Sequence, residues 1–271
     1  MINAITDSGD ADLVEQFTNP ERPRVGLLDY ILTLLFGVLF FVLLVSWDLV
    51  QRCSFYVFGE KALHRVARTL NWLILSLLRI TGARYQYVNP FVFSSLESFI
   101  VVSNHQSMFD ICLVHEPFWR LTPRFISKVE LGRWIPGISF NLRSGGHPLI
   151  DRSSSSQALA EIIRLGRRLH EEHFATVIFP EGTRARDGVL KKFKTSGVNA
   201  LLRKAPNAKV AVVAIDGSWR FQTYNLWPIP RNSKVQIEVV DVLNQSDFES
   251  SEKIIETAEQ LIAERLKQWR A

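Results

Sequence analysis

Residues Phe99-Ile100-Val101-Val102-Ser103-Asn104-His105-Gln106-Ser107-Met108-Phe109-Asp110 decide how the chain is read. The first five are β-branched and apolar enough to form a strand buried on both faces. The strand runs without a linker into a polar turn, and Asp110 then stands ahead of another apolar run suited to a helix. The same change recurs at ATVIFP (Ala175 to Pro180), which leads into Glu181. Further strands are expected at PRFISK (Pro123 to Lys128), HPLIDR (His147 to Arg152), KVAVVAID (Lys209 to Asp216) and KVQIEVVDVL (Lys234 to Leu243). Helices are expected between Ser153 and His173, from about Thr195 to Lys204, and from about Glu252 to Trp269. The Ser153 to Ser156 run supplies a cap for the first of these. Strands alternating with helices predict an α/β fold, a mixed and largely parallel sheet flanked by helices. Ligands of such sheets bind where the strands end, and both polar turns fall there.

Working toward the N-terminus, Tyr30 to Trp47 carries no charge over 18 residues. As a helix it would extend about 27 Å, just long enough to cross a bilayer. Apolar residues fall on all its sides, as lipid contact requires, and Tyr30 and Trp47 stand where interfacial aromatics belong. The acidic residues Asp7, Asp10, Asp12 and Glu15 precede it, against a secretory signal peptide. From Lys61 to Ile80, His64, Arg65, Arg68 and Arg79 alternate with leucines, a pattern suited to an anionic membrane surface. Two arrangements remain open: a span followed by an interfacial helix, or a hairpin dipping into one leaflet. The domain organisation expected is a mobile N-terminal segment over 1–24, membrane-anchoring helices over 25–81 and a catalytic domain over 82–271. Basic residues after the apolar run favour a membrane protein whose catalytic domain lies on the cytoplasmic side.

The chain has 271 residues, 47% of them hydrophobic, with 32 Lys and Arg against 27 Asp and Glu, a net charge of +5. That excess suits anionic headgroups, phosphorylated substrates or RNA alike. Beyond charge nothing favours nucleic acid, and none is expected as a partner. The two cysteines, Cys53 and Cys112, indicate no disulfide framework and read as small buried hydrophobes. No residue set has metal-ligand spacing. His115, His147, His170 and His173 read as surface or structural residues, and Lys191 to Lys194 as a basic loop for the membrane or the donor. The aromatic loop holding Trp219, Phe221, Tyr224 and Trp227 either rests on the bilayer or packs.

Asn104 to Asp110 places His105 and Asp110 five residues apart. On a straight helix they would diverge by about 140°, so they meet only if His105 sits in the turn and Asp110 opens the helix. Asp110 could then hold one imidazole nitrogen and leave the other to take a proton from a hydroxyl. Alone, the pair fits a capping aspartate and a structural histidine at least as well. Phe179-Pro180-Glu181-Gly182-Thr183-Arg184 adds a glycine that permits close backbone approach, a hydroxyl, and a guanidinium able to bind phosphate through two hydrogen bonds. A Glu-Arg turn is the alternative there. Ser107 lacks the Gly-x-Ser-x-Gly surroundings of a nucleophile.

Four blocks taken together resemble the lysophospholipid acyltransferase family, which includes the 1-acylglycerol-3-phosphate acyltransferases. They are Asn104 to Asp110, Lys128-Val129-Glu130-Leu131, Gly146 to Arg152, and Phe179 to Arg184. The likeness covers roughly residues 95–243. It implies direct acyl transfer with His105 as base and Asp110 orienting its ring. Arg152, Glu181, Gly182, Thr183 and Arg184 would line the glycerol-phosphate of the acceptor, and Lys128, Glu130 and Leu131 would belong to the block that places the acyl chain and donor. No metal or organic cofactor is implied. The partners implied are a lysophospholipid, acyl-CoA or acyl-carrier protein as donor, and membrane lipid. The activity implied is acylation of lysophosphatidate to phosphatidate in phospholipid synthesis. The alternatives are a remodelling enzyme with another lyso-lipid acceptor and a non-catalytic membrane lipid-binding protein. Two departures bear on this: Val212 stands where the family commonly has proline, and Ala185 stands where close relatives often have serine.

Overall fold

Two helices open the described chain, residues 21–271 of a computed structural model. The mobility expected of the first 24 residues falls almost wholly outside the described residues. Helix α1 (Leu27–Phe58) outruns the uncharged stretch at both ends. It continues because its polar residues are satisfied locally. The Asp29 carboxylate accepts from Gly26 N at 2.8 Å, and Asp48 pairs with Arg52 one turn on at 2.7 Å. Gly59, at φ 78°, turns the chain into α2 (Glu60–Leu78). Helix α1 is long and apolar enough to cross a membrane, and it points to membrane association. One stripe of it is nevertheless buried along the whole length: Asp29, Thr33, Phe36, Leu44 and Gln51. Cys53, expected to be buried, lies on the exposed side of this helix, whereas Cys112 is buried.

The remainder alternates as the sequence predicts. Strand β1 (Arg84–Val88) is followed by β2 (Phe99–Ser103), α3 (Asp110–Phe118), β3 (Arg124–Phe125), β4 (Ser127–Lys128), α4 (Ser139–Ser144), β5 (Leu149–Ile150), α5 (Ser155–Glu172) and β6 (Ala175–Ile178). Then come α6 (Thr195–Lys204), β7 (Lys209–Asp216), β8 (Lys234–Leu243) and α7 (Ser251–Arg270). Six strands form one sheet in the order β1-β8-β7-β2-β6-β3, and only the β7–β8 pair is antiparallel. Strands β4 and β5 form a separate two-stranded sheet.

Two expected strands are shorter than the sequence suggests. The run 123–128 breaks because its pairing partner changes: Ile126 N donates to Val177 O of β6, and the next residue, Ser127, donates to Pro148 O. The run 147–152 keeps only Leu149 and Ile150 in strand. Strand β1 was not expected, since RYQYV mixes polar and aromatic residues and is largely exposed at the sheet edge.

Both faces of the central sheet are covered, which is why its strands read as continuous apolar runs. Val101, Ala211, Val213 and Ile215 face one core, shared with Phe36 and Leu44 of α1, Leu70, Ile74 and Leu78 of α2, and Leu113 of α3. Ile100, Val102, Val210, Val212 and Ala214 face the other, closed by Leu165 and Leu169 of α5, Leu201 of α6, and Ile255 and Ile262 of α7. Val212 pairs with both Val102 of β2 and Asp241 of β8 and borders the one register slip between β7 and β8. Adjacent parallel strands β6, β2 and β7 all end at the same sheet edge, and the motif residues emerge there.

Candidate active site

Strand β2 is fastened to β7 just before its turn. The Asn104 side chain donates to Ile215 O and accepts from Ile215 N, each at 2.8 Å. His105 follows, with Nδ1 2.9 Å from Asp110 Oδ2. The same carboxylate oxygen accepts the backbone N–H groups of Gln106 at 2.6 Å and Ser107 at 2.8 Å. Asp110 is the first residue of α3, and its carboxylate ties the preceding turn together while it holds His105; it makes no capping bond to the helix itself. An ionised Asp110 makes Nδ1 the protonated ring nitrogen. His105 Nε2 has no hydrogen-bond partner among the described residues, and the ring stacks on Phe179 at 4.1 Å between centroids.

The second turn is locked onto the first. Glu181 accepts from His105 N at 2.5 Å through one oxygen and from Lys191 N at 3.1 Å through the other. Ala185 N donates back to His105 O at 2.7 Å. Burial pushes the Glu181 carboxyl up to about 8, against the pull of these donors and of Lys191. Gly182, at φ 69°, turns the chain beneath the Lys194 side chain.

Thr183 is exposed and Arg184 half-buried. Burial holds the Arg184 guanidinium below its ordinary value, Asp110 opposes that, and Arg186 and Arg152 add to it. Arg152 is exposed just after β5 and makes no ion pair among the described residues, yet its charge is felt at Arg184. Lys128 and Glu130 are exposed, and only Leu131 of that block lines a cavity. Strand β4 carries Lys128 opposite Ile150 of β5, so the second and third motif blocks are hydrogen-bonded neighbours.

Arg184 stands between two cavities of opposite character. One, of about 570 Å³, is basic, bordered by Arg22, Arg184, Arg186 and Lys191 against the single carboxylate of Asp187, with Trp219 and Asn225. The other is a narrow, mostly apolar channel passing Met108, Phe109, Ile111, Ile138 and Leu142 between α1, α2 and α3. A cationic recess and an apolar channel that share Arg184, whose turn is hydrogen-bonded to that of the singly tethered imidazole, suit a molecule with an anionic head, a hydroxyl and a hydrocarbon tail. Among the described residues no three His, Cys, Asp or Glu are grouped to hold a metal ion.

A family model described as Acyltransferase matches residues 80–216, more than half of the chain and all four motif blocks. The chain belongs to the acyltransferase family. The 1-acyl-sn-glycerol-3-phosphate acyltransferase of Cocos nucifera is 26% identical over 237 residues, 86% of this chain and 70% of the relative. The enzyme of that name from Haemophilus influenzae is 26% identical over 175 residues, 64% of this chain and 69% of the relative. The crystal structure of the 1-acyl-sn-glycerophosphate (LPA) acyltransferase PlsC from Thermotoga maritima matches the fold with a TM-score of 0.69 at 23% identity, covering 90% of this chain and 97% of that one.

In this acyltransferase, residues that sequence reasoning did not single out are hydrogen-bonded around the His105 turn. Ser218 Oγ donates to Asp110 Oδ1 at 2.6 Å. It is brought there by the turn after β7, where Gly217 has φ 85°. Gln106 reaches Asp216 at 3.2 Å, and Asp216 is clasped by Arg270 of α7 at 2.6 Å. The rule that sites gather at strand ends could have flagged Asp216 to Ser218. Nothing in the sequence could have flagged Arg22. In the aromatic loop, Trp219 and Phe221 are buried, while Trp227 is half exposed and meets Tyr30 of α1 edge-on.

Proposed function

We propose that this acyltransferase moves a fatty acyl group from an acyl thioester, acyl-CoA or acyl-carrier protein, to the free hydroxyl of lysophosphatidate, making phosphatidate for phospholipid synthesis. The carrying observation is His105, tethered through Nδ1 and open at Nε2, in a turn hydrogen-bonded to the one whose Arg184 borders both a basic recess and an apolar channel. The relatives named above act on this acceptor, and the recess has the cations that a phosphomonoester dianion needs.

In this reading Nε2 takes the hydroxyl proton as the oxygen attacks the thioester carbonyl. The carbonyl–sulfur bond then breaks, and the imidazolium returns the proton to the departing sulfur. Asp110 keeps the ring in the productive tautomer and stabilises its transient charge. Arg184, with Arg152 and Lys191 nearby, attracts the phosphate. Gly182 and Thr183 border it, and Leu131 belongs to the wall of the acyl channel. Glu181, with both oxygens engaged inside the protein, is a positioning residue that ties the two turns together. Lys128 and Glu130, exposed at the two-stranded sheet, are assigned to the donor side.

Docking of α1 against the catalytic core along its full length supports a hairpin sunk into one leaflet, with the outer face of α1 in lipid. The basic residues Arg52, Arg65 and Arg68, close to the apolar run, favour a cytoplasmic side for the catalytic domain. We take residues 25–81 as the membrane-anchoring part and 82–271 as the catalytic part.

The test offers the reconstituted protein a labelled acyl thioester with a panel of lyso-lipids. Lysophosphatidate should be esterified fastest, and His105→Ala should slow its esterification by about 10²- to 10⁴-fold. Preference for another lyso-lipid would change the acceptor and keep the mechanism, whereas undiminished activity in His105→Ala would overturn the mechanism.

A further inference from the structure

A second basic groove lies on the α1 side of the molecule, away from the His105 turn. Arg52 of α1, Arg133 and Trp134 after β4, and Arg143 of α4 border it, and it shares no residue with the recess at Arg184. The segment is held against the helix at several points. Gly137 N donates to Asp48 at 3.0 Å, Gln51 donates to Gly137 O at 2.8 Å, and Phe55 meets Phe140 edge-on. Asp48, the one acidic group bordering the groove, is already engaged by Arg52 and Gly137 N. Arg133 is exposed with no ion-pair partner among the described residues, and Arg143 donates to Gly132 O. Beyond the Asp48–Arg52 pair, the guanidinium groups of Arg133 and Arg143 thus border a groove with no further carboxylate in its lining.

Trp134 is 95% exposed and sits at φ 64°, a conformation bulky residues rarely adopt. An indole carried outward on a loop clamped to an apolar helix is placed as membrane-interface tryptophans are. Leu49, Val50, Tyr56, Val57 and Phe58 are exposed on the same half of α1. We infer that this groove binds the phosphodiester headgroup of an anionic membrane phospholipid, with Trp134 seated at the interface beside it. The apolar border favours a lipid over free phosphate, because a soluble anion has no use for it. The inference goes beyond acyl transfer and rests on the membrane-bound reading of α1.

The test measures partition of the full chain into vesicles of phosphatidylcholine alone and of phosphatidylcholine mixed with phosphatidylglycerol. Phosphatidylglycerol should strengthen binding. Arg133→Gln combined with Arg143→Gln should remove about five-fold of that gain per arginine, leaving binding to phosphatidylcholine alone unchanged. Trp134→Ser should weaken binding to both vesicles. A control pair on the opposite face, Arg164→Gln with Arg203→Gln, should leave the gain intact, as should inorganic phosphate compared with chloride at matched ionic strength. Retention of the full gain in the groove variant, an equal loss in the control pair, or selective displacement by phosphate would each overturn the inference. Absence of binding to either vesicle would overturn the membrane-bound reading itself. All variants should keep wild-type acyl transfer in detergent micelles, which shows that they fold.

Discussion

At the residue scale, the chemistry depends on how many donors Asp110 holds. It accepts from His105, from two backbone N–H groups and from the hydroxyls of Ser107 and Ser218. Its role splits cleanly from that of His105 in the variants. His105→Ala is expected to lower kcat by about 10²- to 10⁴-fold, the range for loss of a general base. Asp110→Asn should cost at least as much as a lost tautomer does, about 10³-fold or more, because an amide nitrogen can replace the accepting oxygen. Ser218→Ala should lower kcat by about 10-fold with KM unchanged, since one hydrogen bond to a charged group is removed away from the substrate. Steady-state kinetics on the three variants separates these outcomes; a Ser218→Ala effect confined to KM would assign the hydroxyl to the substrate. His105 and Asp110 were legible as a pair because five residues and one strand end contain them. Ser218 was not, because it lies 108 positions from Asp110 and only the parallel pairing of β2 with β7 brings it near.

At the element scale, the turn after β7 and the face of α1 carry the sharpest expectations. Gly217 has φ 85°, and a Cβ there would collide with Lys234 O of β8. Gly217→Ala should therefore destabilise the protein by more than about 2 kcal/mol and lower kcat more than Ser218→Ala does, because Ser218 moves with the turn. Thermal unfolding and kinetics on the same sample check both. Helix α1 docks through polar as well as apolar groups: Thr33 Oγ1 accepts from Ile229 N at 2.8 Å and Asp29 accepts from Arg231 N at 2.8 Å. Asp29→Ala removes the buried carboxylate that accepts from the part-buried Arg231 N and should cost about 1–3 kcal/mol, the range for a hydrogen bond to a charged group; protease resistance of the segment joining β7 and β8 reports it. The helix itself was legible from its lack of charge. Its burial stripe was not, since apolar residues on every side do not say which face meets protein. Strands β2, β7 and β8 were legible from end to end. The 123–128 run was not, because a change of partner at Ile126 leaves no mark in composition.

At the scale of the whole molecule, three buried titratable groups shape the response to pH. Burial depresses His115 and His147 from 6.5 to about 3, and it raises Glu181 from 4.5 to about 8. Between pH 8 and 6.5 the folded chain holds the Glu181 proton that the unfolded chain lacks, so raising the pH destabilises. Between pH 6.5 and 4.5 the unfolded chain binds two imidazolium protons against that one, so lowering the pH destabilises. Stability should peak near pH 6.5 and fall on the acid side by at least about 1.4 kcal/mol per pH unit, the slope of one net proton. His64, also held below its ordinary value by burial, adds to the acid limb. His115→Leu should reduce that limb by one proton, because His115 Nδ1 has no partner to lose. Unfolding free energies across pH for the two proteins decide it; an unchanged slope would remove His115 from the account.

The sequence by itself determined the α/β class, the apolar N-terminal helix and the two turns that hold His105 and Glu181. Each of these is written in local periodicity or in residues a few positions apart, where chain geometry leaves little freedom. Only the tertiary structure decided that Asp110 holds both the imidazole and the turn that carries it, and that Glu181 serves the protein's own backbone. The same holds for the position of Arg184, which borders both a cationic recess and an apolar channel. The physical reason is common to all three. Burial, pairing and cavity shape arise between segments far apart in sequence, and they appear only when parallel strands bring those segments to one edge of the sheet.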